Sequence, residues 1–118
     1  MKHRIRISFG LLIALLFAMS TFAQSSPRRI EVHARRFSFI PAGITVEKGE
    51  PVTLALTSDD VSHSLVVEGL HINSPITKGR FTEVTLTPEA AGDFKGKCGR
   101  FCGSGHGSMI FTIHVVEK

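Results

Sequence analysis

Tryptophan and tyrosine are absent from this 118-residue chain, and its nine ring-bearing residues of the Phe/Trp/Tyr class are all phenylalanine. Rings without a polar handle belong in an interior, so the phenylalanines are expected to fill a core. Helical periodicity is missing over any useful length, as are internal repeats and low-complexity segments. A long apolar run is missing too: the best stretch, Phe9 to Met19, falls short of the about 20 residues a membrane span needs. What remains is a chain of short runs separated by Gly, Pro and Asp.

The apolar stretch reads instead as the middle of an export signal. Met1-Lys2-His3-Arg4-Ile5-Arg6 is a basic head, and Ser20-Thr21-Phe22-Ala23 ends on the small residue expected before a cleavage site. Residues 1–23 are therefore expected to be a signal peptide, with an uncleaved membrane anchor as the alternative. Residues 24–29 read as a short tether and residues 30–118 as one domain in the periplasm or another exported compartment. The leader takes Lys2, Arg4 and Arg6 with it, leaving 11 basic residues against 10 acidic ones. That balance gives no basis for nucleic-acid binding. Local clusters persist at Arg28-Arg29, Arg35-Arg36, Lys78 with Arg80, and Lys95, Lys97 and Arg100.

Alternating or short apolar runs predict strands at Ile30 to Phe39, Ile44 to Glu47, Val52 to Leu56, Ser64 to Glu68, Phe81 to Leu86, Gly92 to Lys97 and Ile110 to Val116. Turn residues at Pro41-Ala42-Gly43, Glu47 to Glu50 and Pro88 to Gly92 separate them. The expected fold is all-β, an antiparallel Greek-key sandwich of about seven to eight strands. Phe37 and Phe39, two apart, are expected to share its inner face.

The chemistry concentrates in one stretch. Lys97-Cys98-Gly99-Arg100-Phe101-Cys102-Gly103-Ser104-Gly105-His106-Gly107-Ser108-Met109 places two thiols, an imidazole and a thioether in the pattern Cys-x3-Cys-x3-His-x2-Met. These soft-to-borderline donors select copper over calcium, magnesium or manganese, and the thioether argues against zinc. Gly99, Gly103, Gly105 and Gly107 are expected to let the loop fold back through positive φ. A blue-copper site uses one Cys, two His and a weak axial Met. The second Cys suits two copper ions bridged by two sulfurs. Other readings of the pair are a structural disulfide and a mononuclear site with one free thiol.

The pattern resembles the binuclear CuA site of cytochrome c oxidase subunit II and nitrous oxide reductase, in the cupredoxin family. The resemblance implies that Cys98 and Cys102 are bridging thiolates, His106 a terminal imidazole and Met109 the axial ligand of one copper. It implies that the Arg100 backbone carbonyl serves the other copper. The family often has an acidic residue there, so Arg100 is a departure that alters local potential. The second imidazole is expected at His63, in Asp59-Asp60-Val61-Ser62-His63-Ser64, which looks like the family's first-histidine segment, with His71 as its rival. Asp60, Ser62 and Ser64 are candidates to hold His63. Pro75-Ile76-Thr77-Lys78-Gly79-Arg80 resembles the Pro-Gly-Arg region of the oxidase subunit. Phe101, between the cysteines, is expected to shield the metal, pack, or meet a partner.

The resemblance implies a single-electron carrier, a monomer that is not an enzyme on its own, exchanging electrons with a redox protein such as a c-type cytochrome or another copper protein. Its docking must differ from that of the oxidase subunit, whose aromatic patch is rich in Trp and Tyr. A periplasmic protein that stores or delivers copper is the alternative. Exposure of His106 and Met109 separates the two.

Overall fold

The computed structural model describes residues 26–118; the expected signal segment lies outside the described residues. Strands run β1 (Arg28–Arg35), β2 (Ser38–Ile40), β3 (Gly43–Glu47), β4 (Val52–Ser58), β5 (His63–Val67), β6 (Ile72–Ile76), β7 (Thr82–Leu86), β8 (Gly92–Lys97) and β9 (Ile110–Val116). Single 3-10 turns lie at Glu68–Leu70 and His106–Ser108. They form a four-stranded sheet, β2-β1-β4-β7, and a five-stranded sheet, β3-β9-β8-β5-β6. The β-sandwich expected from the sequence is the fold. Among the described residues no helix is long and apolar enough to cross a membrane.

Three details differ from expectation. The run from Ile30 to Phe39 is two strands, because the chain turns at Arg36-Phe37; β1 also begins at Arg28, inside the expected tether. β6 was hidden by Asn73 and Pro75, residues unfavourable in strands. It is tolerated because β6 lies at a sheet edge, where a missing N–H need not face a neighbour. The sheets are mixed rather than antiparallel: β1 runs parallel to β4, and β3 parallel to β9.

Alternation of side chains explains the interior. Val32 and Ala34 from β1, Leu54 and Leu56 from β4, Leu65 and Val67 from β5, and Phe111 and Ile113 from β9 are all fully buried. Phe39 and Phe111 meet edge to face across the core, with centroids 5.9 Å apart. Phe37 does not share that strand face; it lies half-buried in the turn and packs under the ligand-bearing loop. Strands β1, β4 and β8 end, and β5 and β9 begin, toward the same end of the sandwich. The loops between β4 and β5 and between β8 and β9 meet there.

Candidate metal centre

The same two-residue period that fills the core carries donors into this end. On β5, His63 shares the inward face with Leu65 and Val67, and it is 1% exposed. Beyond β8, Cys98 continues the inward position of Gly96; ahead of β9, Met109 precedes Phe111 and Ile113 on the same face. Cys98 and Met109 are buried as completely as core residues. Cys102 and His106 come from the connecting loop, whose base closes where the Cys98 amide donates to the Met109 carbonyl (3.3 Å). The 3-10 turn over His106–Ser108 then presents the imidazole inward, fixed by the Ser108 hydroxyl donating to the Gly105 carbonyl (2.7 Å).

The donors fall into two sets that share the sulfurs. Cys98 Sγ and Cys102 Sγ are 4.0 Å apart as free thiols. Cys98 Sγ lies 3.8 Å from His63 Nδ1 and 3.1 Å from the Arg100 carbonyl oxygen. Cys102 Sγ lies 3.8 Å from His106 Nδ1 and 3.4 Å from Met109 Sδ. His63, Cys98 and Cys102 alone bring their donor atoms within 4.8 Å of one another. A transition-metal ion bonded at about 2.0 Å to nitrogen and about 2.3 Å to sulfur spans a separation of this size. The donor chemistry and spacing therefore fit copper. His71, by contrast, is exposed in a left-handed conformation after the Glu68–Leu70 turn and far from the cluster in the fold.

Asp60 holds His63. Its Oδ1 lies 2.8 Å from His63 Nε2, so the Nε2–H donates to the carboxylate and the Nδ1 lone pair faces Cys98. Burial pushes the Asp60 carboxyl up, but the Arg36 amide (2.7 Å), the His63 ring and the Val61 amide (2.6 Å) outweigh it and hold the group ionised, well below the usual carboxylate range. Ser58 also donates to the Val61 carbonyl, tying down this turn. Ser64 acts on the other loop, its Oγ accepting the Gly99 amide (3.0 Å). Ser62 lines the surface hollow above the site. Burial also raises the Cys102 thiol, the neighbouring Cys98 sulfur adds to this, and Arg36 opposes it. That thiol keeps its proton near neutrality until a cation displaces it.

Sequence reading missed two supports from the β1–β2 turn. Arg36 Nε donates to the Cys102 carbonyl (2.8 Å), bracing the loop from outside. The Phe37 ring lies where a Cβ on Gly105 would come within 2.5 Å of it and one on Gly103 within 2.9 Å. No local pattern signals either contact. The loop glycines are consequently needed mainly for space: only Gly103 has positive φ (142°), and a Cβ on Gly99 would meet Val66 at 2.5 Å. Gly107 borders open space. Phe101 neither packs in the core nor seals the site; it is 76% exposed, tilted beside the His106 ring at 5.9 Å. The Arg100 side chain is exposed as well, while its carbonyl turns inward to Cys98.

Residues 8–111 match the cupredoxin-like domain family. The chain is 34% identical over 96 residues, 80% of its length, to cytochrome c oxidase subunit 2 of Thermus thermophilus, spanning 71% of one version of that protein. It spans 57% of a second version from another strain of the same organism. It is 38% identical over 70 residues, 59% of this chain, to a probable cytochrome c oxidase subunit 2 of Streptomyces avermitilis, but spans only 22% of that protein. Among solved structures, the periplasmic domain of subunit II of cytochrome oxidase from Bradyrhizobium japonicum superposes with a TM-score of 0.72 at 17% identity, over 80% of this chain and 88% of that one.

Proposed function

Since the chain belongs to the cupredoxin-like domain family, we propose that it is an exported protein holding a binuclear CuA-type copper centre that passes single electrons to or from a redox partner. Residues 1–23 serve as the export signal, 24–29 as tether and 30–118 as the copper domain. His63, Cys98, the Arg100 carbonyl, Cys102, His106 and Met109 hold the two ions, and Asp60 orients His63. The observation that supports this most is the pair of sulfurs 4.0 Å apart, each with its own imidazole and its own weak donor. A mononuclear site would leave half of that set unused.

Bound copper supplies a centre that gains and loses one electron. The chain supplies rigidity: His63, Cys98 and Met109 are anchored on core faces of strands, and Asp60, Ser64, Arg36 and Phe37 fix the loops between them. Ligands that cannot shift keep the geometry similar in both oxidation states, which is what fast electron exchange requires. The domain does no catalysis alone; it hands electrons on, to a c-type cytochrome or another copper protein. A delivery protein needs donors open to exchange. Here Met109 is 0% exposed and His63 1%, which favours the carrier.

Electron paramagnetic resonance of the reduced, then copper-loaded protein tests the proposal. One electron shared by two equivalent coppers gives a seven-line hyperfine pattern. A four-line signal from a single copper would refute the binuclear centre.

A further inference from the structure

The sandwich is electrically polarised along its strands, with the copper end positive. Arg35 and Arg36 follow β1 at that end; Lys78 forms a bridge beside Ser58, the last residue of β4, and Arg80 precedes β7. Lys97 and Arg100 complete the set at the end of β8 and on the loop. All six are exposed. The acids gather at the opposite end: Glu47 after β3, Glu50 before β4, Glu68 after β5, Glu89 and Asp93 around the start of β8, and Glu117 after β9.

Pairing sharpens this division. The lysine and arginine ion pairs among the described residues are Arg28 with Glu50, Arg29 with Glu31 and Glu83, and Lys48 with Glu117, none at the copper end. Residues 1–25 contain no acid that could pair with the cations there. The two acids at the copper end are committed elsewhere: Asp59 to His33 (2.8 Å) and Asp60 to His63 and the Arg36 amide. The copper end therefore keeps its positive field, and Phe101 stands at its centre as an exposed apolar contact above the loop. Beside it, a hollow of about 340 Å³ is lined by Arg36, Val61, Ser62, Arg100, Phe101 and Cys102.

We infer that the physiological partner is a redox protein whose electron-transfer face is acidic, docking on Phe101 within this ring of cations. The inference rests on the electron-transfer reading of the same site. Charge complementarity of this kind steers encounter and fixes orientation, raising association rates by roughly 10- to 1000-fold and weakening with salt.

Two probes test it. The first is hexacyanochromate(III), a paramagnetic trianion that needs no copper in the protein. Titrated into the ¹⁵N-labelled metal-free chain, it is expected to broaden the amides of Arg36, Arg100 and Phe101 first; uniform broadening, or broadening centred on Lys48, would overturn the inference. The second is stopped-flow electron exchange between the copper-loaded chain and two c-type cytochromes, one with an acidic and one with a basic haem edge. The acidic cytochrome is expected to react at least about tenfold faster at low salt, the two converging as salt rises. Arg35→Glu/Lys78→Glu/Arg80→Glu should reverse that preference, and Glu89→Lys/Glu117→Lys at the far end should leave it. Equal rates for both cytochromes, or equal effects of both sets of substitutions, would overturn it. Failure to load copper would instead sink the electron-transfer reading and leave the anion map standing.

Discussion

The Asp60 carboxylate accepts a hydrogen bond from His63 Nε2 at 2.8 Å, and this contact decides which nitrogen of a buried imidazole faces the cysteine sulfur. The same carboxylate accepts the Arg36 amide at 2.7 Å and the Val61 amide at 2.6 Å. One side chain thereby joins the β1–β2 turn, the β4–β5 loop and the metal centre. Asp60→Ala should leave His63 free to turn or change tautomer. Copper affinity, measured by competition with a chelator, is expected to fall about 10- to 100-fold. Unchanged affinity would mean that packing alone orients the ring.

Met109 combines two roles that substitution can separate. Its side chain is fully buried with Phe111 and Ile113, and its sulfur lies 3.4 Å from Cys102 Sγ. Met109→Leu keeps the volume and should cost less than about 1.5 kcal/mol in stability, while shifting the optical spectrum and potential of the copper-loaded protein. Met109→Ala should cost about 2–5 kcal/mol through the cavity it opens. Thermal unfolding of the metal-free protein and spectra of the loaded protein check the two effects separately.

Most of the donor cluster was legible in the chain because it is local. Cys98 to Met109 lie in one loop between two strands paired as a hairpin, so any closure of β8 on β9 brings them together. His63 was legible through its position at the head of an alternating strand, whose period carries it to the face of Leu65 and Val67. Arg36 and Phe37 were not, because their contacts depend on tertiary placement: Arg36 reaches a carbonyl 66 residues away. The parallel pairs β1/β4 and β3/β9 were hidden for the same reason, since alternation reports which face a residue takes and not which strand lies beside it. β6 was lost to Asn73 and Pro75, which an edge strand accommodates.

Space beneath the loop provides another test. A Cβ on Gly105 would stand 2.5 Å from the Phe37 ring. Gly105→Ala should destabilise the protein by about 1–3 kcal/mol through overpacking and lower copper affinity by displacing His106. Adding Phe37→Leu should recover part of both losses. Simple additivity of the two substitutions would show that Gly105 and Phe37 do not clash as the geometry requires.

A separate pH dependence arises on the outer face. His33 Nδ1 lies 2.8 Å from Asp59 Oδ1, and its Nε2 lies 3.9 Å from Glu31. The hydrogen bond to Asp59, helped by both negative charges, raises the His33 pKa above its ordinary value. The resulting stabilisation is full below the unfolded value of about 6.5 and is lost as pH rises through the higher folded value. Because the side chains are 39% and 45% exposed, screening limits it to about 0.2–1 kcal/mol. Asp59→Asn should therefore be less stable than the parent at pH 5.5 and nearly equal to it at pH 9, by chemical denaturation. A difference that does not change with pH would assign the contact no role in protonation.

The most direct measurement is the number of coppers retained per chain, by elemental analysis after reduction, loading and removal of loose metal. Two coppers per chain, falling to one or none when Cys98 or Cys102 is changed to Ser, is the predicted result. One copper per parent chain, unaffected by loss of either sulfur, would contradict a centre built on both.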